Sequence, residues 1–316
     1  MATGQFDIVL GGHDADVTTF NGGSIGSSGV RVIVDDTNCK KKEDAIQGIN
    51  YILNRLKEGT WPPTIFSPLS LFAAGEQGAW YDPSDLATLF QDDAGTIPVT
   101  ASGDPVGRIL DKSGRGNHAT QATAGSRPTF REVGGLRYLE FDGVDDFLVT
   151  GNINFTSTDK LSVFAGLRKS SDAATAALLE LSVSRDTNNG TFAVFAPSGA
   201  GANKFLMSSK GTVQSDALTT STTYNAPVTV ALSGSGDISG DMTTLRLNGQ
   251  AVAATATDQG AGNYGTYPLY IGRRGGTTLP FNGQLHGLVI RGASTVSANI
   301  SSMEAYMANK TGITLV

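Results

Sequence analysis

From about residue 75 to the C-terminus, apolar positions come in short runs rich in β-branched and aromatic residues, broken by Gly, Asn, Asp or Ser. Tyr138 to Phe141, Phe147 to Thr150, Leu161 to Leu167, Ala177 to Val183 and Thr191 to Phe195 are such runs. Lys204 to Ser208, Val228 to Leu232, Thr243 to Leu247, Leu269 to Ile271 and Gly283 to Arg291 continue them. The pattern predicts short strands bounded by turns. Their number suits two stacked antiparallel sheets. Asn248-Gly249 lies between two such runs and reads as a hairpin turn. Helical spacing returns near the end, over about Ser297 to Asn309, where Ile300, Met303 and Met307 share a face. Ser297 is placed to cap this helix, and Gly312 follows it. Ile313 to Val316 read as a returning edge strand.

The first 60 residues are patterned differently. Phe6 to Leu10 and Val30 to Val34 read as strands, separated by a Gly/Ser loop. Lys41 to about Lys57 reads as an amphipathic helix. Ala45, Ile46, Ile49, Ile52, Leu53 and Leu56 form its apolar stripe, acidic residues lie in its first turn and basic ones in its last. So small a unit has core enough to fold alone only marginally. It is expected to pack on a partner, a second copy or the larger domain. Thr60 to Ser70 carries Pro62, Pro63 and Pro68 with no period, which places a linker at residues 61–74. The expected organisation is therefore a strand–helix anchoring or oligomerisation module at 1–60, the linker, and a β domain with a C-terminal helix at 75–316.

Composition narrows the function classes. The chain has 316 residues, 40 of them Gly, with 16% charged and 39% hydrophobic residues, which suits a compact, turn-rich fold. The net charge is −6 and the longest basic run is Lys40-Lys41-Lys42. Nucleic acid is thereby disfavoured as the main partner, since phosphate binding needs a basic footprint. Cys39 is the one cysteine, so no intramolecular disulfide staples the fold. No signal peptide and no membrane-spanning apolar run are visible, so no membrane insertion is expected.

Four blocks carry a family likeness: Trp80 to Asp85 (WYDPSD), Val106 to Asn117 (VGRILDKSGRGN), Leu139 to Phe147 (LEFDGVDDF) and Tyr270 to Gly276 (YIGRRGG). They resemble the concanavalin-A-like, laminin-G-like domains of tailed-bacteriophage virion proteins. The resemblance covers about three quarters of the chain. It implies a mainly β fold, a lectin-like jelly-roll sandwich, preceded here by the small α+β module. It also implies a non-enzymatic virion protein, made in the host cytoplasm. Its lectin-like domain would bind a host-surface glycan or decorate the particle. Residues 1–60 would contact other virion proteins, and homo-oligomers are expected.

Candidate chemistry is sparse. Asp111 to His118 is a polar, glycine-punctuated loop in which Asp111, Ser113 and Asn117 are suited to bonding their own backbone. Glu140 and Asp142 point to one face of a strand, as the carboxylates of retaining β-sandwich glycosidases do at about 5.5 Å. The jelly-roll glycosidases carry Glu-x-Asp-x-x-Glu, whereas this chain places Asp145 last and Gly143 inside the motif. No catalytic residue is therefore assigned, and the alternative is a glycoside hydrolase or depolymerase using Glu140 and Asp142. Asp142, Asp145 and Asp146, with Asp111, are candidate ligands for calcium, by analogy with lectin-like sandwiches. No other cofactor is expected. Arg273 and Arg274 are candidates for holding an anionic sugar, against the simpler reading that they pair with nearby carboxylates. Trp80, Tyr81, Tyr264, Tyr267 and Tyr270 are candidates for sugar stacking. Trp80 is expected to fill the sandwich edge, and Tyr264 and Tyr267, beside the Gly-rich stretch 260–265, to be the exposed ones.

Overall fold

The computed structural model describes residues 6–10, 30–34, 66–199, 203–219 and 224–316. The chain divides into two compact units, Met1–Ile65 and Phe66–Val316. In the first, β1 (Phe6–Leu10) and β2 (Val30–Val34) pair in parallel, with Phe6 opposite Val30 and Leu10 opposite Val34. The helix expected at 41–57 and Cys39 lie outside the described residues.

The second unit begins earlier than its hydrophobic pattern suggests. Pro68–Phe72, read above as part of a linker, is a 3-10 turn opened by Ser67, whose side chain accepts the Leu69 N–H. Leu71 and Phe72 are buried and the Leu71 carbonyl accepts a bond from Arg291, so this stretch belongs to the domain. The strands then run β3 (Gly78–Tyr81), β4 (Leu89–Phe90), β5 (Arg108–Ile109), β6 (Ala119–Thr120), β7 (Thr129–Val133) and β8 (Leu136–Asp142). Next come β9 (Leu148–Asn154), β10 (Lys160–Lys169), β11 (Ala177–Leu181), β12 (Thr191–Ser198), β13 (Lys204–Lys210) and β14 (Gln214–Leu218). The last are β15 (Val228–Asp237), β16 (Met242–Leu247), β17 (Gln250–Thr255), β18 (Thr266–Ile271) and β19 (Asn282–Arg291), followed by helix α1 (Ser297–Thr311).

These strands form two antiparallel sheets stacked as a sandwich. One has the order β17-β16-β15-β10-β19-β8-β7, with β3 also paired to β19. The other has the order β14-β13-β12-β11-β18-β9-β6-β5-β4. The core lies between them, filled by alternate residues of facing strands such as Val163, Leu167, Val194, Met207, Leu245, Leu269 and Leu288. The turn joining β16 to β17 has Asn248 at φ 53° and Gly249 at φ 86°, the left-handed pair that a two-residue hairpin requires.

Helix α1 adds a third layer. Met303, Met307 and Ala308 pack with Phe164, Ala231, Val289, Trp80, Leu71 and Phe72 on the outer side of the first sheet. That is why β10 is buried along almost its whole length instead of alternating. Gly166 allows the approach, since a Cβ there would lie 2.9 Å from the Thr311 methyl. The helix starts with Val296 rather than Ser297 as its cap residue, and it closes on Gly312 at φ 71°. Ile313 and Leu315 pack against this outer layer, but residues 313–316 form no strand.

Candidate functional site

Strand β18 sorts the candidate residues into two groups. Tyr264 and Tyr267 lie at its start, and Arg273 and Arg274 just beyond its end. Six residues of strand put these groups about 20 Å apart.

At the first end the expectation of exposed tyrosines fails. Tyr264 is 1% exposed; its ring meets Phe192 edge-on and its hydroxyl hydrogen-bonds Ser209 at 2.6 Å. Tyr267 is half-buried and donates its hydroxyl to the Asn189 carbonyl at 3.1 Å. Both rings are structural. Trp80, expected at the sandwich edge, instead packs under α1 on the outer side of the first sheet, beside Tyr306 and Lys112, and Tyr81 is buried with its hydroxyl donated to the Asn117 carbonyl.

The second end gathers the other candidates. The turn after β8 is built by its own aspartates. Asp142 Oδ1 accepts the N–H groups of Val144 and Asp145, and Asp146 Oδ2 accepts the N–H of Asp142. Gly143, at φ 77°, lets the chain reverse. Ser126 donates to Asp145 Oδ2 at 2.7 Å. One carboxylate oxygen from each of Asp142, Asp145 and Asp146 lies within 4.8 Å of the others. Burial pushes the Asp146 carboxyl up to about 7, and the charges of Asp142, Asp145 and Glu140 push in the same direction. Three such oxygens are about half of what calcium takes, so water or ligand oxygens would complete the shell. Asp111 is not one of them. Its carboxylate accepts the N–H groups of Trp80, Ser113 and Asn117, closing its own loop onto β3.

The two arginines part company. Arg274 is committed to Glu180 and Asp186, each at 2.7 Å, and its guanidinium lies over Phe195. This is the pairing with nearby carboxylates that the simpler reading expected, one on β11 and one on the loop after it. Arg273 bonds only backbone carbonyls, those of Thr277 at 2.9 Å and Asp145 at 3.4 Å. Among the described residues it pairs with no carboxylate.

An aromatic pair, half of it missed by the sequence reading, adjoins this end. Phe147 and Tyr270 are both partly buried, with ring centroids 6.4 Å apart and planes at 37°. They sit on the outer face of the second sheet. Strand register aligns Phe90, Arg108, Thr120, Val149, Tyr270, Glu180, Ala193, Ser208 and Asp216 in one row across it. From Glu180 to Ser208 the row is buried, while from Phe90 through Tyr270 its outward members are partly open, with Leu89, Ile109 and Ala119 facing the core. The Tyr270 hydroxyl has no partner among the described residues. Alternation in Phe147-Leu148-Val149 was the signal that could have singled out Phe147 as outward-facing.

Glu140 and Asp142 do share a face of β8. Glu140 is engaged by Arg131 on β7 at 2.7 Å, and Asp142 is turned into its own loop.

No protein-family model matches the sequence, and no curated protein does either. Solved structures do resemble it. Domain 4 of AbnA, a GH43 extracellular arabinanase from Geobacillus stearothermophilus, has a TM-score of 0.51 at 11% identity, covering 72% of this chain and 98% of that one. The binding domain of botulinum neurotoxin serotype G scores 0.49 at 11% identity, over 63% of this chain and 49% of that one. The CBM40 of Ruminococcus gnavus IT-sialidase, bound to α2,3-sialyllactose, scores 0.37 at 16% identity, over 46% and 83%. At such identities the likeness to the arabinanase domain establishes the β-sandwich fold and nothing finer.

Proposed function

We propose that residues 66–316 form a non-catalytic glycan-binding module. The observation that carries this reading is the partly exposed Phe147–Tyr270 pair on the outer face of the second sheet, beside Arg273. Flat aromatic faces suit the apolar faces of sugar rings. The Tyr270 hydroxyl can bond a sugar hydroxyl, and Arg273, free of any carboxylate among the described residues, favours a sugar bearing negative charge. The acidic turn at 142–146 lies beside Arg273, where a calcium ion bridging to ligand oxygens would have three carboxylates to hold it. Support of a general kind comes from the arabinanase domain of the same fold, solved in complex with arabinotriose.

The setting we propose is the surface of a tailed-phage particle, with residues 1–60 as the attachment module. This rests on the four blocks that resemble virion domains. Their residues build the frame: Asp82 takes Lys310, Asp111 closes its loop onto β3, and Asp142 closes the acidic turn. Several copies on one particle would turn weak sugar contacts into firm attachment.

The test is a glycan array and intact host-type cells probed with the whole chain, with and without a calcium chelator. Saturable binding that is lost in Tyr270→Ala and Phe147→Ala, without shortening of the glycan, supports the reading. Binding untouched by both substitutions refutes this face as the site, and glycan cleavage abolished by Glu140→Gln would establish the enzymatic alternative.

A further inference from the structure

Helix α1 covers only part of the first sheet's outer face. It lies over β10, β15 and β19, and beyond its first turns the outward side of β15 and β16 opens into a cleft of about 180 Å³. The cleft floor comes from register. Ser162, Ser235 and Thr244 stand side by side on β10, β15 and β16, and the next row is Phe164, Ser233 and Arg246. Strand β15 alternates Ser233-Gly234-Ser235-Gly236 for opposite demands on its two sides. Inward, a Cβ at Gly236 would lie 2.3 Å from the Tyr264 hydroxyl and one at Gly234 would lie 2.8 Å from Met207 Sδ, so glycine is required. Outward, serine hydroxyls replace the apolar residues that Ala231 and Phe164 provide under the helix.

The open lining is mostly apolar, from Leu161, Phe164, Met242 and Ile300 among others, and the charged groups set into it are balanced. Arg246 bonds Glu304 through Nε at 2.7 Å, and Glu304, 3% exposed, also takes the Ser233 hydroxyl at 3.0 Å. Asp237 is paired with Lys160. Ser235 and Thr244 share a single hydrogen bond at 2.6 Å, which leaves one of the two hydroxyl protons free to donate. Arg246 uses Nε and one terminal nitrogen, leaving the N–H groups of the other. Met242, 40% exposed, and Ile300 supply an apolar rim.

The geometry points to a second ligand site here, for a single neutral, polyhydroxylated ring such as one uncharged sugar unit. Ser162 donates to the Ala293 carbonyl and Ser233 to Glu304, so the Ser235–Thr244 pair and the open Arg246 nitrogen are the groups that meet a ring's hydroxyls, and the apolar lining matches its apolar edge. Internal ion pairing leaves no net charge to attract an anion. The volume is below the ~300–1,000 Å³ of pockets for drug-sized ligands, which limits the occupant to about one ring. The site is on the opposite sheet from Tyr270 and stands independently of the function proposed above.

Backbone amide NMR spectra of the whole chain, titrated with glucose, galactose and N-acetylglucosamine, test it. The expected result is saturable shifts at Ser162, Ser233, Ser235, Thr244 and Arg246 with at least one of these sugars, unchanged in Tyr270→Ala. The double variant S235A/T244V removes both partners of one hydrogen bond, leaves no orphaned group and should fold. It should weaken this binding about tenfold, the equivalent of ~1.4 kcal/mol. Met242→Ala, at an exposed rim position, should weaken it a few-fold without touching the core. Absence of saturable shifts with all three sugars, or full binding by both variants, overturns the proposal.

Discussion

Arg274 reaches Glu180 at 2.7 Å on the outer face of the second sheet, and the carboxylate it meets is fully buried. Glu180 also accepts the backbone N–H of Arg185, so the loop after β11 is tied down by the same group. Burial pushes the Glu180 carboxyl above its ordinary range, and the bonds from Arg185 and Arg274 pull it back. Arg274→Ala strands this charge and should cost about 3–5 kcal/mol in urea unfolding. Replacing both by leucine should recover most of that loss. A double variant as unstable as the single would show that the arginine stabilises through other contacts.

Asp111→Ala should be costly for a different reason. Three backbone N–H groups, on Trp80, Ser113 and Asn117, lose their acceptor together. A loss of about 2–5 kcal/mol is expected, with Asp111→Asn milder. Thermal unfolding measures it, and a change under about 0.5 kcal/mol would mean the loop finds other acceptors.

Two buried groups should give opposite pH dependences. Burial holds His286, 2% exposed beneath α1, down to about 4. Because the unfolded chain takes up that proton near 6.5, its contribution to stability is present above 6.5 and lost as the pH falls towards 4. Asp146 behaves inversely. Its folded value of about 7 exceeds the unfolded one of 3.8, so its contribution falls as the pH rises through that window. With chelator present, Asp146→Asn should therefore match the wild type near pH 4 and exceed it at pH 8 by about 2–4 kcal/mol. Equal stability at pH 8 would show that the carboxyl ionises there without cost.

Glu140→Gln should change stability by less than about 1 kcal/mol, since its partner Arg131 and the carboxylate are both exposed to water. Denaturant midpoints with an unchanged slope would confirm that only a surface pair was removed.

The sequence pattern reveals the long strands because their apolar runs are long enough to see. Leu161 to Leu167 and Gly283 to Arg291 fall inside β10 and β19, and Met303 and Met307 face the sheet as their spacing predicts. Strands β4, β5 and β6 have two residues each, too few for any period, yet they supply three of the five partly open members of the outward row, Phe90, Arg108 and Thr120. Tyr264 misled because glycine neighbours imply an exposed loop, whereas its hydroxyl is paired deep in the interior with Ser209. The turn chemistry of Asp142 to Asp146 is local and legible, but the meeting of that turn with Arg273 is made by strands 128 residues apart in the chain.

Strand β3 pairs with β19, and Asp82 just after it is gripped by Lys310, 228 residues later. A ribosome therefore delivers Leu71, Phe72 and Trp80 long before the helix and strand that cover them exist. Until residues 282–311 have been made, these side chains are left bare, and a nascent chain of this kind is a natural client for holding chaperones. Synthesis halted before Ser297 would release a protein whose sheet has no roof over that patch, with aggregation as the consequence.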